Sequence, residues 1–341
     1  MPKLGHRMTG VLALAGAVLA GGGCGQVASK AAIDHYVEGK MAMDSSEYDK
    51  ALAELRKAVE IDPTLSLAHA AIGDIHRKRG DIALAAVSYE AACETNPYAF
   101  RPHYNLGVVY ELLAAAAQTA QAVSEYIQKA VNVYVRAVTI KPEDFDANLN
   151  LSACYYRQGK FDLAEQYCQA AINIQPGSAA ACSNLGLIYD AQNRPYDAIR
   201  AYKQALELDV HQPKVILNLG STYQHLRRYR EAITAFQLAL KEDPACAEAY
   251  VHIAASHYHL KELDEALAGY QKAVDTDANS YQGFRGIGVV YITWFIFDRT
   301  RTEYRDKGLA AWNRSLEIQS NQPELLRLVR KYTPEAAEPP L

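Results

Sequence analysis

Small and aromatic residues recur along most of the chain with a period of 34 residues. Two series show this spacing: Gly39, Gly73 and Gly107, and then Ala164, Ala198, Ala232 and Ala266. A 34-residue unit fits residues 32–322 when eight copies begin near residues 32, 66, 100, 145, 179, 213, 247 and 281. The third copy then holds about 11 extra residues and the eighth about eight. A fixed period of this length is typical of proteins that stack one structural unit many times.

Fixed columns of small and large residues predict two closely packed antiparallel helices in each unit. Positions 8 and 20 of the unit are small, because a bulky side chain there would separate the helices. Position 24 is large in most units and is predicted to fill the space between them. Position 8 holds Gly39, Gly73, Gly107, Ser152, Gly186, Gly220, Ala254 and Gly288. Position 24 holds Leu55, Tyr89, Tyr134, Cys168, Tyr202, Phe236, Tyr270 and Trp312. Five prolines are predicted to end second helices: Pro63, Pro97, Pro142, Pro176 and Pro244.

This pattern resembles the tetratricopeptide repeat (TPR) family over residues 32–322. The resemblance implies an all-α fold: a right-handed TPR superhelix, or α-solenoid, of about eight helix-turn-helix repeats whose first helices line a concave groove. The chain departs from the family at position 4, where a common tryptophan is replaced by residues such as His35, His69 and His103. After the array, residues 323–332 are predicted to form a capping helix and residues 333–341 a disordered tail.

The first 23 residues have the features of an export signal. A basic start precedes an apolar run over residues 11–20, which is shorter than the roughly 20 residues of a membrane-spanning helix. The run ends on small residues before Cys24, which resembles a bacterial lipoprotein signal, although a large aliphatic residue is usual where Gly21 stands. The resemblance implies a palmitate-bearing Cys24, a linker over residues 24–31 and an outer-membrane location facing the periplasm. Ordinary signal cleavage, which would give a secreted or periplasmic soluble protein, is the alternative.

Four asparagines are the candidate peptide-binding residues of the groove. They stand at position 6 of four successive units: Asn105, Asn150, Asn184 and Asn218. A carboxamide carries both donors and an acceptor, so a series of them can hold the backbone of an extended chain. The series is similar to the asparagine ladder in the repeat domain of O-GlcNAc transferase, and local hydrogen bonding within each repeat is the alternative explanation. Neighbouring positions 2 and 13 add four basic candidates: Arg101, Arg157, Lys214 and His225.

Two insertions are further candidates for a functional surface. Residues 111–128 are rich in alanine and are predicted to lengthen both helices of the third unit by about 1.5 turns each. Residues 291–305 begin with a run, Tyr291 to Phe297, that is more apolar than a solvated helix should be. This run is either covered by the capping helix or exposed as a docking patch.

Composition and motifs argue against several classes of function. The chain has 35 Lys+Arg and 39 Asp+Glu, a net charge of −4, so it has no basic excess for a nucleic-acid backbone. The six cysteines include no Cys-x-x-Cys pair, and the histidines at position 4 lie one per unit, too far apart to share an ion. No phosphate-binding glycine loop or Gly-x-Ser-x-Gly string occurs. We predict no metal, no cofactor and no catalysis. Five cysteines would remain beside a lipidated Cys24, as buried apolar residues or with one disulfide among them.

The sequence therefore predicts a non-catalytic interaction scaffold in the cell envelope. A protein or peptide partner would lie in the groove, and the oligomeric state is left open. By resemblance, relatives with this layout act as pilotins for secretin pores, as adaptors for peptidoglycan enzymes and in polysaccharide export. Two alternatives stand beside this prediction: a self-associating structural protein whose repeats stack end to end, and an enzyme of envelope carbohydrate metabolism.

Overall fold

The computed structural model describes residues 29–334, and within that range the chain forms seventeen α-helices and no strand. The predicted all-α tetratricopeptide fold is confirmed. The signal segment with Cys24 and the greater part of the predicted tail lie outside the described residues. None of the helices between residues 29 and 334 is both long enough and apolar enough to cross a membrane. The helices group into two compact units, Met1–Pro176 and Gly177–Leu341.

The first unit contains four helix pairs. Within each pair the second helix packs on the first, and each pair packs on the next. Its helices are α1 (Lys30–Asp44), α2 (Tyr48–Ile61), α3 (Ser66–Arg79), α4 (Ile82–Thr95), α5 (Phe100–Ala116), α6 (Ala120–Ile140), α7 (Phe145–Arg157) and α8 (Phe161–Ile174). Helices α5 and α6 have 17 and 21 residues, whereas α3 and α4 have 14 each. The extra residues of the third pair therefore lengthen its second helix more than its first.

The second unit contains four further pairs and one single helix. Its helices are α9 (Ala179–Ala191), α10 (Pro195–Leu208), α11 (Pro213–His225), α12 (Tyr229–Glu242), α13 (Ala247–His259), α14 (Leu263–Thr276), α15 (Tyr281–Phe297), α16 (Thr302–Ile318) and α17 (Pro323–Tyr332). Here the last pair is the longest, with 17 residues in each helix.

The glycine column allows an aromatic ring of the second helix to lie directly on the first. A Cβ added to Gly220 would lie 2.6 Å from Cε1 of Phe236, and one added to Gly73 would lie 2.8 Å from the Tyr89 ring. Both rings are fully buried, so neither can move aside into solvent. The predicted packing of position 24 against position 8 is confirmed in these pairs, and it explains why the position is glycine.

The pair α13–α14 departs from this arrangement. Position 8 is Ala254, and its methyl group lies against Gly269 of α14. The methyl group occupies the space that the ring fills in other pairs. Tyr270 consequently packs against Gly286 of the following pair, where an added Cβ would collide with its ring.

Proline residues, and glycine residues in the left-handed backbone conformation, determine where several of the helices end. Gly80 and Gly159 have φ values of +83° and +71° in the turns after α3 and α7, a conformation that suits a residue without a Cβ. Five second helices end two residues before a proline, which cannot donate an amide hydrogen bond and clashes with the preceding turn. These helix ends and prolines are Ile61 and Pro63, Thr95 and Pro97, Ile140 and Pro142, Ile174 and Pro176, and Glu242 and Pro244.

Helix α17 covers the last pair and takes the place that the first helix of a ninth unit would have. Leu325 is 3% exposed and packs with Ile292 and Trp312. The Tyr332 ring lies 6.5 Å from the ring of Phe295 and 6.1 Å from that of Trp312, between centroids. Part of the apolar run that begins at Tyr291 is therefore buried under α17.

Candidate peptide-binding surfaces

The asparagines of the first unit donate hydrogen bonds to neighbouring elements. Asn105 and Asn150 are half-buried on α5 and α7. Asn105 Nδ2 donates to Asp74 Oδ1 of α3 at 3.2 Å, and Asn150 Nδ2 donates to the Tyr134 hydroxyl of α6 at 3.3 Å. Each bond uses one of the two amide hydrogens of the asparagine. Both side chains therefore take part in the local hydrogen bonding that is the alternative explanation of the series. The role of these residues in holding a peptide stays a prediction.

A carboxylate accepts a hydrogen bond in each of these two networks: Asp74 joins Asn105 to Tyr89, and Glu111 accepts from Tyr134, to which Asn150 donates directly. Asp74 Oδ1 also accepts from the Tyr89 hydroxyl at 2.5 Å, and Glu111 accepts from the Tyr134 hydroxyl at 2.9 Å and from Cys154 Sγ at 3.3 Å. Burial, reinforced by the adjacent carboxylates, raises the pKa of both tyrosines and of the Cys154 thiol. All three groups are therefore protonated donors at neutral pH, and the thiol is not an activated nucleophile.

The other predicted residues occupy comparable places on first helices. In the second unit, Asn184 and Asn218 are half-buried on α9 and α11. Asp190 of α9 accepts from Tyr202 of α10 at 2.9 Å and from Thr222 of α11 at 2.8 Å, so the same kind of carboxylate link recurs. The four basic candidates are all exposed near the ends of their helices: Arg101 on α5, Arg157 on α7, and Lys214 and His225 on α11.

An open cavity lies in the second unit between helices α13 and α15. Its volume is 570 Å³. Positions 2, 5, 6 and 9 of the two first helices supply most of its wall. These residues are Glu248, Val251, His252 and Ala255 on α13, and Gln282, Arg285, Gly286 and Val289 on α15. Tyr270 and Asp277 also line it.

A second cavity of 490 Å³ lies between α15 and α17. Tyr281, Leu325 and Leu328 contribute to its wall. Arg285 and Val289 line both cavities. We call the two cavities together the C-terminal groove.

Arg285 is the positive charge shared by both parts of the C-terminal groove. Its side chain is exposed and has neither a hydrogen bond nor an ion pair with any residue in the range 29–334. Its carbonyl oxygen accepts from Trp312 Nε1 at 3.1 Å, which fixes the backbone beneath it. Burial raises the pKa of Tyr270 to about 12, and the Arg285 charge opposes this rise. The guanidinium is available to pair with a carboxylate of a ligand.

His252 gives the groove a neutral polar group. Its Nδ1 lies 2.9 Å from Oε1 of Gln224, and its ring stacks on Phe236 with centroids 4.9 Å apart. Burial lowers the pKa of His252, against the opposing effect of Glu248. At neutral pH the imidazole is therefore uncharged and contributes hydrogen-bonding capacity without adding to the charge of Arg285.

The sequence did not predict the C-terminal groove, because the candidate residues were chosen by one residue type, asparagine, at position 6. The asparagine series ends at Asn218, and position 6 holds His252 and Gly286 in the next two units. The register itself carried the signal, since positions 2, 5, 6 and 9 line the cavity in both of these units. The wall that α17 contributes to the groove could not be inferred from the sequence, because it depends on how α17 packs.

One group of side chains has the geometry of potential metal ligands. Potential ligand atoms of His35, Glu38 and Glu54 lie within 4.8 Å of one another. Glu54 already interacts with Lys57 Nζ at 2.8 Å and with His35 Nδ1 at 2.7 Å, and these contacts, that of Lys57 first, lower the pKa of its carboxyl group. We interpret the group as an ion-pair cluster, because the Lys57 ammonium occupies the position beside the carboxylate that a cation would take.

The cysteines between residues 29 and 334 are not paired with one another. Cys154, Cys168 and Cys182 are buried, and Cys93 and Cys246 are half-buried. The three buried cysteines pack as small side chains in the core.

The fold and the groove define a tetratricopeptide-repeat protein. The chain belongs to the family described as the cilia and flagella-associated protein 70 C-terminal domain, whose model matches residues 13–285. No curated protein matches the chain significantly.

Several solved structures are similar to the chain at low sequence identity. The structure of Pseudomonas aeruginosa pilF is 20% identical with a TM-score of 0.50, over 65% of this chain and 96% of that chain. A chain of the APC/C hetero-tetramer Cut9–Hcn1 is 18% identical with a TM-score of 0.52, over 88% of this chain and 55% of that one. YrrB, a TPR protein with an unusual peptide-binding site, is 19% identical with a TM-score of 0.46, over 59% and 99%. At these identities the similarity concerns the fold.

Proposed function

We propose that the chain is a non-catalytic scaffold that holds an extended protein segment in the C-terminal groove. The observation that carries this proposal is Arg285, an unpaired cation on the boundary of two adjoining cavities. Apolar side chains flank it on both sides, at Val251 and Val289 in one cavity and Leu325 in the other. An extended segment would place apolar side chains against these residues and an acidic side chain on the guanidinium.

The protonation states of the groove suit binding. Tyr270 and His252 are both uncharged at neutral pH, the first because its pKa is raised and the second because its pKa is lowered. They can donate or accept hydrogen bonds from a peptide backbone. Glu248 and Asp277 also line the cavity, so the groove is mixed in charge and favours a partner that carries both signs.

Site-specific photocrosslinking in cells would test the groove. A photoreactive residue at Gln282, which is exposed in the groove, is expected to form a discrete adduct with a partner protein. The same residue at Gln271, exposed on α14 and outside the groove residues, is expected to form none. Arg285→Glu should reduce the adduct at least about tenfold, since it would place a carboxylate against the acidic side chain of the partner, and like charges brought together at an interface cost several kcal/mol.

Arg56→Glu is the matched control for the charge reversal. Arg56 is exposed on α2, and its substitution is expected to leave the adduct unchanged. Equal adducts at Gln282 and Gln271, or an adduct that does not respond to Arg285→Glu, would show that the groove is not the binding site.

We further propose that the scaffold is anchored by a lipid on Cys24 at the outer membrane and serves the assembly of an envelope complex. Support comes from the sequence of the first 24 residues, a short apolar run that ends in Gly21, Gly22, Gly23 and Cys24. Labelled palmitate is expected to appear in the wild-type protein and not in Cys24→Ala. Equal labelling of both proteins, or of neither, would refute the anchor.

A further inference from the structure

The last helix pair exposes two adjacent apolar side chains at its end. Phe297 is 75% exposed and Ile296 is 46% exposed at the C-terminal end of α15. Ile292 and Phe295, from the same apolar run, are buried beside α17. The cover that α17 provides therefore stops short of the last two residues. We call residues 296–307, which include the loop and the first turns of α16, the hairpin tip.

The hairpin tip projects beyond the preceding pair. Helices α13 and α15 both begin at position 1 of their units, but α13 has 13 residues and α15 has 17. At a rise of about 1.5 Å per residue, four more residues extend α15 by about 6 Å at the end that carries Phe297. Arg285 and the cavities around it lie near the opposite end of α15. The tip is thus a projection, which suits insertion into a deformable surface better than enclosure of a peptide.

Positive charge surrounds the exposed apolar residues. Residues 298–307 include four basic and three acidic side chains, and the whole chain by contrast carries a net charge of −4. The contact of Tyr332 with Phe295 places the last turn of α17, with Arg330 and Lys331, beside the tip. These two residues bring the local net charge to about +3, the reverse of the overall sign.

Arginines lie directly around the apolar base of the tip. The guanidinium carbons of Arg299 and Arg305 are 5.0 and 5.9 Å from the centroid of the Phe295 ring. Arg301 is held near Asp298 at 3.3 Å, and Arg305 near Asp306 at 2.9 Å. Arg299 makes no ion pair with residues 29–334, so its charge remains uncompensated by a carboxylate.

We propose that the hairpin tip is a docking site for the anionic surface of a phospholipid bilayer. Ile296 and Phe297 enter the boundary between headgroups and acyl chains, where exposed apolar surface is removed from water. Arg299, which has no carboxylate partner among residues 29–334, contacts lipid phosphates, which a guanidinium can bind through two parallel hydrogen bonds. The site is separate from the C-terminal groove and does not depend on a peptide partner.

Tryptophan fluorescence can test this site in the full-length protein. Trp294 lies three residues before Phe297 on α15, whereas Trp312 is buried under α17. Lipids with brominated acyl chains quench a tryptophan that approaches the membrane interior. The protein would carry Cys24→Ser, so that no acyl chain is attached, and would be mixed with vesicles of brominated phosphatidylcholine with or without phosphatidylglycerol. Because the reporter is Trp294, attachment through the N-terminal apolar run alone would not produce the signal.

Quenching is expected with vesicles that contain phosphatidylglycerol and is expected to be lost in Phe297→Ser. Arg299→Gln should weaken the binding about fivefold, the effect of removing one basic residue near an anionic surface. Tyr196→Ser is the matched control, because Tyr196 is an aromatic residue of the same unit that is 66% exposed on α10. Its substitution should leave both quenching and affinity unchanged.

Three results would overturn the proposal. The first is an absence of quenching with both vesicles, and the second is equal quenching of the wild type and Phe297→Ser. The third is quenching only after residues 335–341 are deleted, which would show that this segment of the chain occupies the tip instead. Circular dichroism of each variant verifies the helical content. Arg285→Glu is expected to leave vesicle binding intact, so failure of this proposal is distinguishable from failure of the groove.

Discussion

Replacing Gly220 with serine is expected to destabilise the second unit by about 1–3 kcal/mol, the usual effect of overfilling a packed core. The new Cβ would lie 2.6 Å from Cε1 of Phe236, whose ring is fully buried. Because the ring cannot move into solvent, the helices α11 and α12 must separate to relieve the contact. Urea denaturation followed by circular dichroism would measure the change in the free energy of unfolding.

A second substitution should relieve part of this effect. The pair α7–α8 combines Ser152 at position 8 with Cys168 at position 24, and both residues are buried. Gly220→Ser with Phe236→Cys reproduces that combination in α11–α12. The double variant is expected to be less destabilised than the sum of the two single variants, with a coupling of about 1–3 kcal/mol.

Gly177→Ser is the control for Gly220→Ser. A Cβ added at Gly177 would meet nothing within 4 Å, so its stability should change by less than about 0.5 kcal/mol. Equal destabilisation by both serines, or strict additivity in the double variant, would contradict the packing of position 24 on position 8.

Leu325→Asp is expected to destabilise the end of the second unit by about 3–5 kcal/mol. Leu325 is 3% exposed between Ile292 and Trp312, so aspartate would remove apolar contacts and place a carboxylate in an apolar site. Detachment of α17 would also weaken the hydrogen bonds that Gln322 Nε2 donates to the carbonyls of Ser315 and Gln319, at 3.1 and 2.8 Å. Tryptophan emission should shift to longer wavelength as Trp312 becomes solvated.

The neighbouring leucine supplies a matched control for this substitution. Leu326 is on the same helix and is 40% exposed. Leu326→Asp is expected to change the free energy of unfolding by about 0.5 kcal/mol or less. If both aspartates shifted the tryptophan emission equally, the assigned burial of Leu325 would be wrong.

The repeat could be predicted from the sequence because its packing rule is local and is used many times. A small residue at position 8 and a large one at position 24 identify the helix pair without any knowledge of the partner surface. The pair α13–α14 was not predictable in detail, because one methyl group at Ala254 redirects Tyr270 to Gly286 of the next pair. That change depends on the space between helices, which the residues at one position of the repeat do not show.

The candidate sites were less accessible to sequence reasoning. Asn105 and Asn150 were selected for their donors and acceptors, but the structure also gives each of them a partner on another helix. Arg285 was not selected, since arginine at one position in one unit forms no series. Its importance follows from the absence of a partner within residues 29–334 and from its place between two cavities.

Helix α17 also affects whether copies of the chain can join into a filament. It fills the place of a ninth first helix, but it lacks a second helix and presents Glu324, Arg327, Arg330 and Lys331 to solvent. A second copy that continued the stacking on this face would have to desolvate these charges without preformed counter-ions. Polymerisation through this surface is therefore expected to carry an electrostatic penalty.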